Sequence, residues 1–318
     1  MRVLSLFDGM SGGQIALKEL GIVPDEYLAS EINEVAIAQT QLNFPNTKQI
    51  GDVRELDARS LGHIDLLIGG SPCTNFSFSG RRNGMNTTEG VEIYTLDQYL
   101  ELKKAGFRFQ GQSYLFWEYM RVLTELRESN PDIKFMLENV NMQPRWEKVL
   151  DDAIGCHGVH INSNLVSAQN RERIYWTNIS DKIAPPEDKH VMLTDILDDH
   201  VPDSKYYRVD YFIKQLAKHG RTISKCDKPY VQQYPHGFNR GCRYFDGKVP
   251  TMTASSWANN HVIVFPDGTI RKFTADECAR LQTVPDWYKW SCSPNQKISL
   301  LGNGWTIEVI KHILSYLK

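Results

Sequence analysis

The sequence predicts an α/β protein built on a doubly wound parallel sheet, with a second, smaller domain set before the C-terminal segment. Three observations carry this expectation. Short apolar runs alternate with helix-period segments through the first 179 residues. The first apolar run opens into a glycine-rich turn, the place where such sheets receive a nucleotide-like ligand. From about residue 180 to 262 the alternation stops, and prolines, tyrosines and basic residues take over.

Taken in order, "RVLSLF" (2–7) is a strand and "DGMSGG" a tight turn, and "GQIALKELG" has helical periodicity up to Gly21, a plausible C-cap. "EYLASEI" (26–32) is the second strand. "NEVAIAQTQLNF" is a helix with Asn33 as N-cap, stopped by Pro45. A short strand lies near "TKQIGDV", and "IDLLIG" is the next one. Residues 113–128 place apolar side chains at i, i+3 and i+4 and predict a long helix. "KFMLENV", "RWEKVLDDAI" and "RIYWTNI" follow as strand, helix and strand. "TADECARLQTV" and "WTIEVIKHILSYL" restore helical order at the end. The domains expected are 1–179, 180–262 and 263–318, the last completing the first.

The chain has 318 residues, 41% hydrophobic and 23% charged, which is ordinary for a globular protein and leaves no compositional case for disorder or a coiled coil. It has no run of about 18 apolar residues, so no membrane span is expected. The first residues lack the apolar core of a signal peptide, so a cytoplasmic location is expected. Cysteines at 73, 156, 226, 242, 278 and 292 form no CxxC pair and no zinc spacing with histidine, so no metal is expected and the thiols read as reduced. Net charge is −2, yet from Ser204 to Val249 ten Lys or Arg stand against three Asp, a local +7 inside a remainder of −9. Tyr206, Tyr207, Tyr211, Tyr234 and Tyr244 are interleaved. A basic, aromatic segment in an acidic chain suits a nucleic-acid backbone, and equally a solvated basic surface.

Three strand ends then carry polar residues of a particular kind. The turn Gly9-x-x-Gly12-Gly13 follows the first strand, Glu31 ends the second, and Asp52 follows the third. An acid at Glu31 can accept from two ribose hydroxyls, and one at Asp52 from an adenine amine. Together they favour an adenosine-containing cofactor. At the next strand end, "GGSPCTNFSFSG" (69–80) puts Cys73 behind Pro72 in a loop of small residues, where a thiol is placed to react rather than to pack. Glu138 and Asn139 end the otherwise apolar "FMLENV", on the same sheet edge. Gln169, Arg171 and Arg173 alternate in "QNRERIYW", as if to aim two guanidinium groups one way at a polar or anionic substrate.

With these residues in view, the chain resembles a cytosine carbon-5 DNA methyltransferase over nearly its whole length. "LFDGMSGG" is similar to that family's cofactor loop, "SEIN" and "GDV" to its two acid positions, and "GGSPCTNFS" to its nucleophile loop. "GQSYLFWEYMRVL", "FMLENV", "QNRERIYW", "RKFTADECARLQTVPDWY" and "LLGNGW" resemble the remaining motifs, in order. The pattern is of the bacterial or phage type. Ser11, however, replaces a glycine usual there, and the first and last motifs are also similar to the animal de novo enzymes. Asn303 follows the bacterial form. About twenty additional residues separate Cys73 from "SYLFWEYM". Within them, Thr95 and Gln98 form a capping-box pattern for a short helix ended by Gly106, with Lys103, Lys104 and Arg108 expected to point outward.

The resemblance implies a Rossmann-like fold and S-adenosylmethionine as methyl donor, with S-adenosylhomocysteine as product. Phe7, Gly9, Gly12, Glu31, Asp52, Pro72 and Asn303 would bind it: Phe7 stacks on adenine, Glu31 takes the ribose, Asp52 the adenine amine, and Asn303 lies near the methionyl end. It implies that Cys73 is the nucleophile, Glu138 and Arg173 grip the cytosine, and Arg171 orients the catalytic loop or a phosphate. Duplex DNA would be the partner, with the cytosine flipped out and residues 71–80 closing over it. Ser77, Arg81, Arg82, Lys205, Arg208, Arg240 and Arg243 would contact DNA, and 180–262 would read the target. A restriction–modification setting and a monomer or weak homodimer go with this reading. An RNA-modifying enzyme of the same fold, a non-catalytic DNA-binding homologue and a different sulfonium donor are the alternatives.

Overall fold

The computed structural model describes residues 1–72, 84–201, 209–235, 241–255 and 261–317. Cys73, Ser77, Arg81, Arg82, Lys205, Arg208 and Arg240 lie outside the described residues.

Seven strands form the main sheet, in the order β3-β2-β1-β4-β5-β7-β6. They are β1 (Arg2–Leu6), β2 (Glu26–Ser30), β3 (Lys48–Gln49), β4 (Leu66–Gly70), β5 (Lys134–Val140), β6 (Val159–Asn162) and β7 (Glu172–Thr177). β1, β2 and β4 are buried along nearly their whole length, which is why they read as continuous apolar runs rather than as alternations. Helices α1 (Gly12–Glu19) and α2 (Glu34–Asn43) connect the first strands. Asn33 caps α2 as expected, its side-chain oxygen accepting from the backbone N–H of Val35 and Ala36. After β4 come α3 (Leu96–Lys104), α4 (Phe116–Ser129) and α5 (Pro144–Ile154). The core they close holds Trp117, Tyr119, Trp146 and Trp176, all fully buried.

Every pairing from β3 through β5 is parallel, whereas β7 runs antiparallel to β5. The doubly wound parallel sheet that the sequence predicts is thus present, with one antiparallel strand that the sequence did not single out. Only nine residues separate β6 from β7, too few for a helical crossover, so the chain returns along β5 in the opposite sense.

The chain divides into two compact units. The first holds 1–161, 172–185 and 311–318, and the second holds 162–171 and 186–310. The second unit contains a four-stranded antiparallel sheet, β11-β10-β8-β9, from β8 (Tyr230–Gln233), β9 (Arg243–Tyr244), β10 (His261–Val264) and β11 (Ile270–Lys272). It also contains α6 (Val209–Ala217), α7 (Ala275–Leu281) and α8 (Pro294–Asn303). Along the chain, α9 (Ile307–Leu314) begins in the second unit and ends in the first. No helix among the described residues is long and apolar enough to cross a membrane.

Candidate active site

The order of the main sheet reverses between β1 and β4, which pair in register from Val3 with Leu66 to Leu6 with Gly69. Connections leave these two strands toward opposite sides, and the crevice at their carboxyl ends is where open α/β sheets bind ligands. The turn after β1 and the loop after β4 both open there. These are the two stretches the sequence marked for cofactor and nucleophile.

The turn after β1 takes a backbone course that few residues adopt. Phe7, Gly9 and Ser11 have φ of 58°, 57° and 63°. For Phe7 and Ser11 this is a costly left-handed conformation, held only because the surroundings over-determine it. Three contacts do so. Glu31 Oε2 accepts from the Gly9 N–H at 2.8 Å. Gln14 donates to the Ser11 and Thr47 hydroxyl oxygens at 2.8 and 2.7 Å. Tyr27 donates to Asp8 at 3.0 Å, and burial pushes the Asp8 carboxyl up to about 6 against the pull of the Ser5, Ser11 and Tyr27 hydroxyls. Gly13 is required by packing: a Cβ there would sit 2.2 Å from Ile68 Cδ1. Gly12 starts α1 and is buried, and Phe7 is partly buried against the core.

Glu31 is tied to this turn and also accepts from the Ile32 and Asn33 N–H groups, both at 2.8 Å. Its two oxygens keep acceptor capacity for further donors. Asp52 caps a short 3₁₀ turn by accepting from the Arg54 N–H at 2.9 Å. The Arg54 guanidinium grips both carboxylate oxygens and holds the Asp52 carboxyl below its ordinary range. A strained turn at a helix N-terminus with acids at the next two strand ends fits an adenosine-bearing cofactor.

At the other edge, β4 and β5 pair so that Gly70 stands opposite Glu138. Glu138 is nearly buried and forms an ion pair with Arg173 Nε at 2.9 Å. Arg173 comes from β7, where Val140 pairs with Arg173 across the antiparallel step. The irregular β7 thus brings Arg173 to Glu138. Asn139, between them on β5, donates to the Ser71 hydroxyl at 2.9 Å and to its carbonyl at 3.4 Å. Ser71 is buried and Pro72 half-buried. The start of the loop that carries Cys73 is therefore tethered to the Glu-Asn pair.

Arg171 and Arg173 do not lie on one strand as expected. β7 begins at Glu172, and Arg171 belongs to the second unit, where its own N–H is taken by Asn162 Oδ1 at 3.0 Å. Its buried guanidinium donates to the carbonyls of Met252 (3.0 Å), Gly302 (3.2 Å) and Gly304 (2.9 Å). Gln169 supports the same place, accepting from the Met252 N–H at 2.8 Å. A Cβ on Gly302 would meet the Thr253 backbone at 2.2 Å, so the closing "LLGNGW" turn needs its glycine. Asn303, exposed at the end of α8, sits between two carbonyls that Arg171 holds.

Of the basic segment, Arg243 is exposed on β9, bonded to the Ser224 hydroxyl and 5.9 Å over the Phe245 ring. Lys248 is a correction to the charge count. Its ammonium donates to the carbonyls of Asn164, Ser167 and Val191 and is pulled down by burial, so it ties loops together instead of facing a polyanion. Lys103 is a second correction: it binds buried Glu118 at 2.6 Å, so its charge is paired although its side chain stays partly exposed. Sequence reasoning also gave no role to Asp8, Arg54 or the Asn139–Ser71 tether. Asp8 within "FDGMSGG" had a signal, a carboxyl between glycine-turn residues, whereas Arg54 had none.

A doubly wound sheet with a strained turn on one side of its switch point and, on the other, a Glu–Arg pair beside a strand end held through Ser71 defines a class: an α/β transferase with the S-adenosylmethionine-dependent methyltransferase fold. The model of the C-5 cytosine-specific DNA methylase family matches residues 1–151 and 158–318, and the chain belongs to that family. It is 26% identical to the type II methyltransferase M.Bsp6I of Bacillus sp. (strain RFL6), over 98% of this chain and 97% of that one. It is 30% identical to the orphan methyltransferase M.Rho11sI of Bacillus phage rho11s, over 80% of this chain and 58% of that one. Among solved structures, S. pombe Dnmt2 methyltransferase superposes with a TM-score of 0.69 at 19% identity, covering 100% of this chain and 98% of that one. Entamoeba histolytica EhMeth does so at 0.65 and 14%, covering 100% and 97%.

Proposed function

We propose that the protein transfers a methyl group to carbon-5 of a flipped-out cytosine in duplex DNA, through a covalent adduct with Cys73. The observation that carries this reading is the Glu138–Arg173 pair next to Asn139, which holds Ser71 two residues before Cys73. Carbon-5 of cytosine is a weak nucleophile. Addition of the Cys73 thiolate to carbon-6 places electron density on carbon-5 and on the ring-3 side. Glu138 hydrogen-bonds ring nitrogen-3 and the exocyclic amine, stabilising that charge, and Arg173 takes the carbonyl oxygen at position 2. S-adenosylmethionine, when bound, would supply its electrophilic methyl to carbon-5, the methyl–sulfur bond breaking with its electron pair so that S-adenosylhomocysteine leaves. Phe7, Gly9, Gly12, Glu31, Asp52 and Pro72 hold it, with Asn303 at its methionyl end. Loss of the carbon-5 proton to a base or water then expels Cys73 and restores the ring.

Arg171 acts in this reading as a positioning residue, fixing the backbone on both sides of Asn303. Residues 1–179 and 263–318 carry the chemistry and 180–262 read the target, with Ser77, Arg81, Arg82, Lys205, Arg208, Arg240 and Arg243 against the DNA. Residues 263–310 pack within the second unit, so function and packing divide the chain differently. The type II relatives favour a restriction–modification setting.

Duplex DNA containing 5-fluorocytosine tests the reading, because fluorine does not leave as a proton does. The expected result is a denaturation-resistant protein–DNA adduct that Cys73→Ala abolishes while binding of S-adenosylmethionine persists. An undiminished adduct in that variant refutes the role of Cys73. Methylation of tRNA in preference to duplex DNA refutes the substrate.

A further inference from the structure

Glu118 on α4 is wholly buried, and a buried carboxylate must be paired. Three donors meet it. Tyr99 and Lys103, one turn apart on α3, both reach Oε1, Lys103 at 2.6 Å. Arg121, one turn further along α4, reaches Oε2 through Nε at 2.7 Å. With Nε on Glu118 and Nη1 also bonded to the Glu125 carboxylate at 2.9 and 3.0 Å, Arg121 directs its other nitrogens to the carbonyls of Val53 at 2.7 Å and Leu56 at 2.8 Å. Lys103 also reaches the Arg54 carbonyl at 3.4 Å. These carbonyls belong to the short turn that opens on Asp52, and Arg54 in that turn clamps the Asp52 carboxylate. The bonds run unbroken from α3 to Asp52. A scaffold pairing alone would satisfy Glu118 but would have no reason to end on the backbone of that turn.

We propose that α3 is a brace for Asp52, with Lys103 and Tyr99 as positioning residues that set affinity for the adenine end of S-adenosylmethionine. This rests on the reading of Asp52 given above. Without Lys103, Glu118 keeps one cation, Arg121. The guanidinium is drawn toward the carboxylate, and its grip on the 53–56 backbone loosens. Asp52 then moves relative to its ligand while Glu138 and Arg173 stay in place.

The test uses the full chain as wild type, Lys103→Met, Lys103→Arg, Tyr99→Phe and Asp52→Asn. Calorimetry gives the Kd for S-adenosylmethionine, and steady-state kinetics on duplex DNA give kcat and both KM values. Lys103→Met is expected to raise the Kd and the KM for S-adenosylmethionine about five- to tenfold. The kcat at saturating donor and the KM for DNA stay at wild-type values, and Lys103→Arg recovers to within about twofold. Tyr99→Phe, which removes one hydroxyl and guards against misfolding of the first variant, weakens binding about two- to threefold. An unchanged Kd in both Lys103→Met and Tyr99→Phe overturns the brace, as does an equal rise in both KM values or an Arg variant no better than Met. If Asp52→Asn binds S-adenosylmethionine as wild type does, the reading of Asp52 fails and the proposal with it. If Asp52→Asn binds weakly and Lys103→Met does not, the brace alone fails.

Discussion

Asp8 sits inside the strained turn after β1, and its environment makes it a measurable group. Burial pushes its carboxyl up to about 6 from an ordinary value of 3.8. The native state therefore binds a proton more tightly than the unfolded chain between these values, so stability falls as pH rises from about 4 to about 6. The cost, fully present above pH 6, is at most about 3 kcal/mol. Asp8→Asn keeps an acceptor for the Tyr27 hydroxyl and removes the charge. The variant is expected to be more stable than wild type at pH 7.5 by about 1–2 kcal/mol in urea unfolding, with the gap closing below pH 4. A gap that does not change with pH would show that Asp8 is not the titrating group. The sequence made Gly9, Gly12 and Gly13 conspicuous and left Asp8 unnoticed, because only folding closes Tyr27 of β2 over it.

Helix ends were the most legible elements. Thr95 caps α3 by accepting from the Gln98 N–H at 3.2 Å, as its spacing predicts, while the Gln98 side chain turns back to the Tyr94 N–H instead of to Thr95. Thr274 and Glu277 close a full capping box on α7. Glu277 does more than cap: Arg271 on β11 meets it with two bonds of 2.6 and 2.8 Å, both residues buried. That pairing fastens helix to sheet within the second unit. Removing one partner leaves a buried charge, so Arg271→Met is expected to cost about 3–5 kcal/mol in chemical unfolding. A loss below about 1 kcal/mol would mean that Glu277 finds another partner. The pair was invisible in sequence, since a lysine-and-arginine run beside an acidic helix start also describes a solvated surface.

At the scale of the molecule, charge separates into two kinds that composition counts as one. Arg243 is exposed, whereas Lys248 holds three carbonyls. Arg243→Ala, and likewise Lys205→Ala, Arg208→Ala or Arg240→Ala, is expected to weaken DNA binding on all sequences. Each should also flatten the salt dependence by up to about one unit for every phosphate it no longer neutralises. Lys248→Ala is expected to leave that slope unchanged and to lower unfolding stability by about 1–3 kcal/mol, because three partly buried carbonyls lose their donor. Binding titrations from low to high salt decide between the two behaviours. A steep change of slope for Lys248→Ala would place it at the DNA after all.

What the sequence by itself determined was local. Apolar runs set β1, β2, β4, β5 and β7 but left β6 unread, glycine spacing marked the turn after β1, and the ordered motifs identified the family. Each follows from burial, backbone freedom or residue order, which are properties of short stretches. Only the tertiary structure decided the partners. It reversed β7, so that Arg173 reaches Glu138 while Arg171, two residues earlier, turns to the backbone beside Asn303. It paired Lys103 with a buried carboxylate, set Lys248 on three carbonyls and set Asn139 on Ser71. These are choices between residues 68 to 131 positions apart in several cases. A charged side chain reads the same in sequence whether it ends in water or on a buried carboxylate, and only the packed chain supplies the other half of the bond.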